Sequence, residues 1–249
     1  MVFRQLFDPE SGTLSYLVAD DETRKAALID PVLASVERDL ALVKELGLTL
    51  EIVLETHVHA DHVTSASVLR ERSGARMVVG AAGPRCADLQ VGDGAILPLG
   101  RLAFRVLATP GHSEDGVSLL LVNRDRLEQP GACVFTGDTL LVRGCGRTDL
   151  PGGDAGRLYD SITRVLFALP DDTLVFPAHD YEGNRITSIG EERRLNPRLA
   201  GRSRKDFIAL MSARRSPEPR LLQRALAANR ACGNEAVASP PGDGERGAR

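Results

Sequence analysis

Short apolar runs separated by polar turns recur along the chain, and they predict a fold rich in β-strands. Two of these runs lie near the start, from Leu14 to Ala19 and from Lys25 to Ile29, and flank the acidic turn at residues 20–22. Further runs of strand length occur at residues 51–55, 77–79, 132–135 and 174–176, and several short ones fall between residues 95 and 122. Gly and Pro residues separate many of these runs, as expected for strands joined by turns.

Helical periodicity appears between the predicted strands. Apolar residues recur at intervals of three or four from Val36 to Leu46, charged residues fall between them, and Gly47 supplies a stop signal. Four more helices are predicted, at residues 63–73, 153–169, 188–195 and 203–213. Because many strands follow one another directly, too little chain is left for a crossover helix between every pair. The pattern therefore predicts an α/β fold of two stacked sheets covered by helices, an α/β/β/α sandwich, rather than a doubly wound parallel sheet.

The length of 249 residues fits a single catalytic domain, which we expect to cover residues 1–238. Residues 239–249 contain two Pro and three Gly and are expected to form a disordered tail. Hydrophobic residues make up 43% and charged residues 26% of the chain, which excludes wholesale disorder. No apolar stretch reaches the roughly 18 residues of a membrane span. The net charge of −3 and the aromatic content of 4% give no case for nucleic-acid binding.

The four cysteines are far apart in the sequence and form no C-x-x-C pair, which argues against a disulfide framework. Cys133 lies in a predicted strand and is expected to pack in the core, and Cys145 is expected to be inert. Cys86 and Cys232 carry no signal. The first residues contain acidic side chains and no long apolar segment, so no secretory signal is expected. Together these features predict a reducing, cytoplasmic compartment.

Side chains that bind metals follow four of the predicted strands, and three of the five histidines fall within six residues. The seven candidates are His57, His59, Asp61, His62, His112, Asp138 and His179. Imidazole nitrogens and carboxylate oxygens are donors that Zn, Fe and Mn accept. If the four strand ends lie on one edge of the sandwich, these side chains converge on a metal centre.

The H-x-H-x-D-H spacing predicts how the first cluster is divided. His57 and His59 are two residues apart on an extended segment, so they are expected to point to one side and chelate one ion. Asp61 and His62, at the turn into a helix, are expected to face a neighbouring position. A lone histidine such as His179 is more often a hydrogen-bonded structural residue. A buried cluster without a metal would leave polar groups unsatisfied, so a metal is the better interpretation. The spacing leaves open whether one ion or two are held.

Several motifs resemble known proteins. The segment T-H-V-H-A-D-H, the later P-G-H and G-D, and the final P-A-H-D resemble the metallo-β-lactamase superfamily, which includes glyoxalase II. Three longer segments, Gly137–Asp149, Pro177–Tyr181 and Glu191–Arg198, resemble the persulfide dioxygenases, also called sulfur dioxygenases. This resemblance implies a non-haem enzyme with one Fe(II) per chain. Such an enzyme oxidises glutathione persulfide with O₂ and water to sulfite and glutathione.

The resemblance also implies roles for individual residues. The family's iron ligands correspond to His57, His112 and Asp138, a two-histidine, one-carboxylate set that leaves positions open for substrate and O₂. The other four candidates would orient these ligands and bound water, whereas their counterparts in glyoxalase II help to hold two metals: His59, Asp61, His62 and His179. Arg147 and Tyr181 are implied to lie near the glutathione site.

Some alternatives stay open at this point. Arg147 could instead form a structural ion pair with Asp149 or with the loop of Asp138. The segment from Arg193 to Arg230 holds eleven basic residues, which we interpret as a solvated face that could also steer an anionic substrate. After His62 the chain continues Val-Thr-Ser, where glyoxalase II usually has Gly-Gly.

Two other functions also compete with the persulfide dioxygenase. One is a di-zinc hydrolase of acyl-glutathione thioesters, of the glyoxalase II type, in which a metal-bound hydroxide attacks the thioester. The other is a non-catalytic binding module with a vestigial metal site. The complete set of metal-binding side chains argues against the vestigial site. A homodimer is compatible with the family, in which dimers are common.

Overall fold

A computed structural model describes residues 1–127, 129, 131–180 and 183–234. Tyr181, named above as a substrate residue, lies outside the described residues, as does the tail at 239–249. The assignment of one domain to residues 1–238 stays a prediction. Among the described residues, no helix combines the length and the apolar composition that crossing a bilayer requires.

The first sheet has six strands in the order of the chain, β1 to β6. They are β1 (Val2–Asp8), β2 (Thr13–Ala19), β3 (Lys25–Ile29), β4 (Thr49–Leu54), β5 (Arg76–Gly80) and β6 (Leu89–Val91). The first three strands pair antiparallel, and β3 to β6 pair parallel. β1 is not among the predicted strands, because Arg4 and Gln5 stand side by side at its centre and interrupt the apolar run.

The second sheet has six strands in the order β12-β11-β10-β9-β8-β7. They are β7 (Ile96–Leu99), β8 (Leu102–Ala108), β9 (Val117–Asn123), β10 (Cys133–Gly137), β11 (Leu174–Pro177) and β12 (Thr187–Ser188). β10 and β11 pair parallel, whereas the other neighbours are antiparallel. The carboxyl ends of β10 and β11 therefore lie side by side.

In the part of the chain that the structure describes, six α-helices cover the outer faces of the two sheets. They are α1 (Val36–Glu45), α2 (Ala66–Ser73), α3 (Ala155–Asp160), α4 (Ile189–Leu195), α5 (Arg204–Ala213) and α6 (Leu222–Arg230). The helix predicted at 153–169 is not continuous, because α3 passes into a π-helical turn and then a short 3₁₀ segment. The sequence did not predict α6, although Leu222, Ala225 and Ala228 form a buried face at helical spacing.

Three apolar cores confirm the predicted α/β/β/α sandwich. The strand β2 is buried on both faces, as expected for a strand in a sheet that lies between another sheet and a layer of helices. Leu14 and Tyr16 point into the core between the two sheets, whereas Leu17 and Ala19 pack in the layer beneath α1 and α2. A third core lies between the second sheet and the helices α3, α4 and α5. Burial of apolar area in these layers is the main driving force for the fold.

The expectation that the cysteines form no disulfide is wrong for one pair. Cys86, in the loop between β5 and β6, is disulfide-bonded to Cys232, which lies just beyond α6. Their separation of 146 residues leaves no local spacing signal, and only the packing of α6 brings them together. Cys133 and Cys145 are buried free thiols, as predicted. Burial raises the pKa of the Cys133 thiol to about 12.

Candidate metal centre

The ends of four strands meet at one edge of the sandwich, as the sequence predicted. The histidine loop, residues 57–64, follows β4, and His112 lies just beyond β8. Asp138 follows β10 directly, and His179 follows β11. The hydrogen bond between His179 Nδ1 and Asp138 Oδ1, at 2.6 Å, joins two of these strand ends.

His57, His112 and Asp138 form one candidate metal cluster. One donor atom from each lies within 4.8 Å of the others. His57 is buried, and His112 and Asp138 expose only 11% and 14% of their side chains. Two imidazoles and one carboxylate are the donor set of non-haem Fe(II) sites that keep coordination positions open. The residues therefore fit a metal ion of this type.

The imidazole of His57 is oriented by a short chain of hydrogen bonds. Thr56 Oγ1 donates to Asp30 Oδ2 at 2.8 Å, and so it accepts from His57 Nδ1 at 2.9 Å. The other oxygen of Asp30 accepts from the Thr56 backbone N–H. With its proton on Nδ1, His57 keeps the Nε2 lone pair for a metal. Asp30 has a backbone φ of +49°, a strained conformation for a residue other than Gly, and these bonds hold it there.

His112 is oriented in a similar way by the loop between β10 and α3. Its Nδ1 donates to the backbone carbonyl of Arg147 at 2.8 Å, so its Nε2 is left for a metal. This loop can approach so closely only because residue 146 is Gly, where a Cβ atom would lie 2.2 Å from the carbonyl oxygen of Asp138. Gly137 has φ +50°, and a Cβ there would lie 2.5 Å from Thr56 Oγ1.

The spacing argument for His59 is not supported by the structure. His59 does not join the cluster of His57, His112 and Asp138; it groups with Asp61 and His62. Its Nε2 atom lies 3.1 Å from Asp30 Oδ1 and 3.5 Å from Glu55 Oε2. The two imidazole rings lie close together, with centroids 4.1 Å apart, but the His59 ring directs Nε2 to these two carboxylates and not to the cluster of His57.

Asp61 and His179 link the two groups. Asp61 Oδ2 accepts from His62 Nδ1 at 2.9 Å and from His179 Nε2 at 3.0 Å. Thr13 Oγ1 also lies 3.1 Å from the same oxygen. His179 therefore donates one proton to Asp138 and the other to Asp61, and it fixes the position of both carboxylates.

The surroundings of His57 and His179 shift the pKa values of these two buried histidines in opposite directions. Burial, together with the neighbouring imidazoles of His59 and His112, holds the pKa of His57 well below its ordinary value, so it is neutral and able to ligate. Burial also disfavours charge on His179, but Asp138 and Asp61 outweigh it and raise the pKa of His179 well above its usual range. For Asp138, burial is likewise outweighed by His179 and His112, and its pKa lies well below the ordinary value.

A cavity of about 510 Å³ opens beside the cluster, a size that suits a small-molecule ligand. His112, Asp138 and His179 line its inner end. The side chains that line its outer part include four cations: Arg147, Arg198, Arg214 and Arg220.

Arg147 lines the cavity and also forms the ion pair that the sequence left open. Its Nε and Nη2 atoms donate to Asp149 at 2.7 and 2.8 Å. Nη1 donates to the carbonyl of Pro217, and Nη2 to that of Ser216. The side chain thereby fastens the segment after α5 to the loop that orients His112.

Two of the three segments that resemble the persulfide dioxygenases, Gly137–Asp149 and Glu191–Arg198, contact each other. Arg143, on the loop after Asp138, donates from its backbone N–H and its guanidinium to the carboxylate of Glu192. Asn196 Nδ2 donates to the carbonyl of Gly144 and to Glu192 Oε2. Arg198 Nη1 donates to the carbonyl of Cys145. The helix α4 and the segment after it thus hold the loop that carries Asp138.

Four supporting residues escaped sequence reasoning: Thr13, Asp30, Thr56 and Asn229. Asn229 Nδ2 donates to the carbonyls of His59 and His62, and its Oδ1 accepts from Thr64 N. Thr13, Asp30 and Thr56 stand at strand ends, the same signal that identified the ligands. For Asn229 the sequence offers only the helical spacing of apolar residues in α6, and this spacing does not show what the helix packs against.

Comparison with known proteins agrees with this geometry. Residues 8–83 and 87–179 match the family described as the metallo-beta-lactamase superfamily. The chain belongs to this superfamily.

Relatives that cover nearly the whole chain show to which family of this superfamily it belongs. Persulfide dioxygenase ETHE1, mitochondrial, of Mus musculus is 43% identical over 97% of this chain and 91% of the mouse protein. The crystal structure of ETHE1 from Myxococcus xanthus is 56% identical, with a TM-score of 0.89 over 94% of this chain and 100% of that one. The chain is a member of the persulfide dioxygenase family, and these relatives support an oxidoreductase rather than a vestigial module. A more distant relative, TTHA1623, is 29% identical with a TM-score of 0.62 over 79% of this chain and 100% of that one, and was solved in a di-iron-bound form.

Proposed function

We propose that the protein is an iron-dependent dioxygenase that converts glutathione persulfide, O₂ and water to glutathione and sulfite. The observation that carries the proposal is the cluster of His57, His112 and Asp138 at the inner end of a cationic cavity. It occurs in a chain that is 43% identical over 97% of its length to a protein named as a persulfide dioxygenase.

His57, His112 and Asp138 would hold the Fe(II) ion, one per chain. Iron supplies the redox chemistry that O₂ needs to react with a closed-shell persulfide, which Zn cannot supply. The protein's part is to orient both imidazoles, through Thr56 and the Arg147 carbonyl, while burial lowers the pKa of His57 and keeps it neutral. His179, held between Asp138 and Asp61, fixes the carboxylate ligand and keeps its negative charge.

A second metal site is the basis of the rival function, a di-zinc thioester hydrolase. One observation favours it: Nδ1 of His59 and Nε2 of His62 are buried and have no hydrogen-bond partner among the described residues. They form a second candidate cluster with Asp61. Against it, Asp61 Oδ2 already accepts from His62 and His179 and lies close to Thr13. We therefore propose that these residues orient the iron ligands.

The experiment that separates the two functions is anaerobic purification with elemental analysis, followed by an oxygen-electrode assay. We expect one iron per chain and O₂ consumption with glutathione persulfide. Two zinc ions per chain together with hydrolysis of an acyl-glutathione thioester would establish the hydrolase instead. The variant Glu45→Gln, exposed at the end of α1 and not among the residues that line the cavity, serves as the matched control and should keep both iron and O₂ consumption.

The cationic wall of the cavity favours a substrate that carries carboxylates, as glutathione persulfide does. The guanidinium of Arg198 donates a hydrogen bond to the Cys145 carbonyl, and that of Arg147 donates to the Asp149 carboxylate. In the part of the chain that the structure describes, neither Arg214 nor Arg220 forms a salt bridge with an acidic side chain. We propose that these two arginines receive the glutathione carboxylates, that Arg147 contributes to the same wall, and that Tyr181 contacts the substrate as the family resemblance implies.

Replacing Arg214 or Arg220 by Ala is expected to raise KM for glutathione persulfide by about 5- to 30-fold and to leave kcat within about twofold. A charge-assisted hydrogen bond to a carboxylate that forms equally in the ground and transition states has this effect. Steady-state kinetics at fixed ionic strength measures it. Lys205→Ala, which removes one positive charge from α5 outside the cavity, is the matched control. An unchanged KM in both arginine variants would contradict the assignment.

The cytoplasmic compartment and the homodimer stay predictions. The mouse relative is named as mitochondrial, so fractionation of the native cells is the appropriate measurement. Light scattering of the purified protein measures its oligomeric state.

A further inference from the structure

The Cys86–Cys232 disulfide joins two surface segments at the outer side of the first sheet. Cys86 is exposed in the loop between β5 and β6. Cys232 is 2% exposed and packs with Leu69 and Ala87 in the core beneath α1 and α2. In a reducing compartment, such as the one predicted for this chain, disulfides are mostly transient and serve catalysis or redox sensing.

The end of α6 that carries Cys232 also supports the histidine loop. Asn229, one turn before Cys232, is 3% exposed and makes three hydrogen bonds to that loop, with the His59 and His62 carbonyls and the Thr64 N–H. Gly233 packs on the same loop, where a Cβ atom would lie 2.4 Å from the Thr64 carbonyl oxygen. The disulfide therefore anchors the helix end from which the loop is held.

We propose that Cys86 and Cys232 form a reversible modification site for low-molecular-weight thiols. The oxidised pair holds α6 against the histidine loop, and reduction loosens that support. This role does not depend on the reaction catalysed at the metal centre.

The exchange begins at the sulfur of Cys86, the exposed residue of the pair. A thiolate RS⁻ attacks it, which forms a mixed disulfide Cys86–S–S–R and releases the Cys232 thiolate, which takes up a proton. A second thiolate then attacks the sulfur of the R group, which releases Cys86 as a thiol and RSSR. In the net reaction, two RSH are oxidised to RSSR and the protein disulfide is reduced to two thiols. Arg70, whose Nη1 lies 3.1 Å from the Cys86 carbonyl, and the adjacent Arg85 place positive charge where an anionic thiolate approaches.

The test equilibrates the iron-loaded protein in buffers of reduced and oxidised glutathione. Alkylation and peptide mapping then count the thiols. We expect two free thiols, Cys133 and Cys145, in oxidising buffer and four in reducing buffer. Reduction should lower Tm by about 5–10 °C, because a long cross-linked loop is released. It should also speed amide hydrogen exchange in residues 57–64 by about tenfold, since Asn229 then holds the loop less firmly.

Cys86→Ser is the matched control, because it removes the disulfide and leaves three buried thiols, Cys133, Cys145 and Cys232. We expect its Tm and its exchange rates to equal those of the reduced protein and not to respond to glutathione. A disulfide that stays intact, or never forms, across the whole range of buffers would overturn the modification site. A shift in Tm without faster exchange in residues 57–64 would overturn the coupling to the histidine loop.

Discussion

Replacing Asp138 by Asn is expected to remove most of the bound metal and to lower kcat/KM for glutathione persulfide at least about 100-fold. Substitutions of groups that merely orient metal ligands already cost roughly 10- to 100-fold, so loss of the ligand itself costs more. Asp138 is the only carboxylate of its cluster, and it accepts a hydrogen bond from His179 Nδ1. The amide is neutral, so it cannot balance the charge of the cation. Elemental analysis and oxygen-electrode kinetics measure the two effects.

Asp172→Asn is the matched control for this variant. Asp172 lies in the exposed turn before β11, so the same chemical change there should alter neither metal content nor rate. An Asp138→Asn protein that keeps its iron and more than a tenth of its activity would show that the carboxylate is not a ligand.

Replacing Glu192 by Ala is expected to destabilise the protein by about 2–4 kcal/mol, because each buried donor that loses its acceptor costs about 1–3 kcal/mol. Glu192 is fully buried and accepts from the Arg143 guanidinium and backbone, from Asn196 and from Thr187. Its loss leaves these donors unsatisfied and frees the loop that carries Asp138. Urea unfolding of the iron-free protein gives the change in the free energy of unfolding without a contribution from metal binding.

Glu191 provides a close control, because it is the neighbouring residue and contacts the same Arg143. Its side chain is 42% exposed, so Glu191→Ala should cost less than about 1 kcal/mol. Equal losses in the two variants would mean that burial does not determine the strength of this network. In the metal-loaded protein we also expect faster iron release from Glu192→Ala than from Glu191→Ala.

Local pattern was enough to predict most of the fold. The strands that precede His57, Asp138 and His179 are short apolar runs. A strand that is buried on both faces is a continuous apolar run in the sequence, so it can be predicted without knowing which strands lie beside it. α6 was missed. Its buried residues are small and its polar residues are many, so the apolar stripe is weak.

The sequence by itself determined which side chains could hold the metal, since each directly follows a predicted strand and the motifs are contiguous. Only the tertiary structure decided how they divide: His57 joins His112 and Asp138, whereas His59 turns towards Asp30 and Glu55. It also decided the contacts between Glu192 and Arg143 and the Cys86–Cys232 disulfide. These contacts join residues far apart in the chain. They depend on how separate elements pack together, and the spacing of residues along the sequence contains no record of that packing.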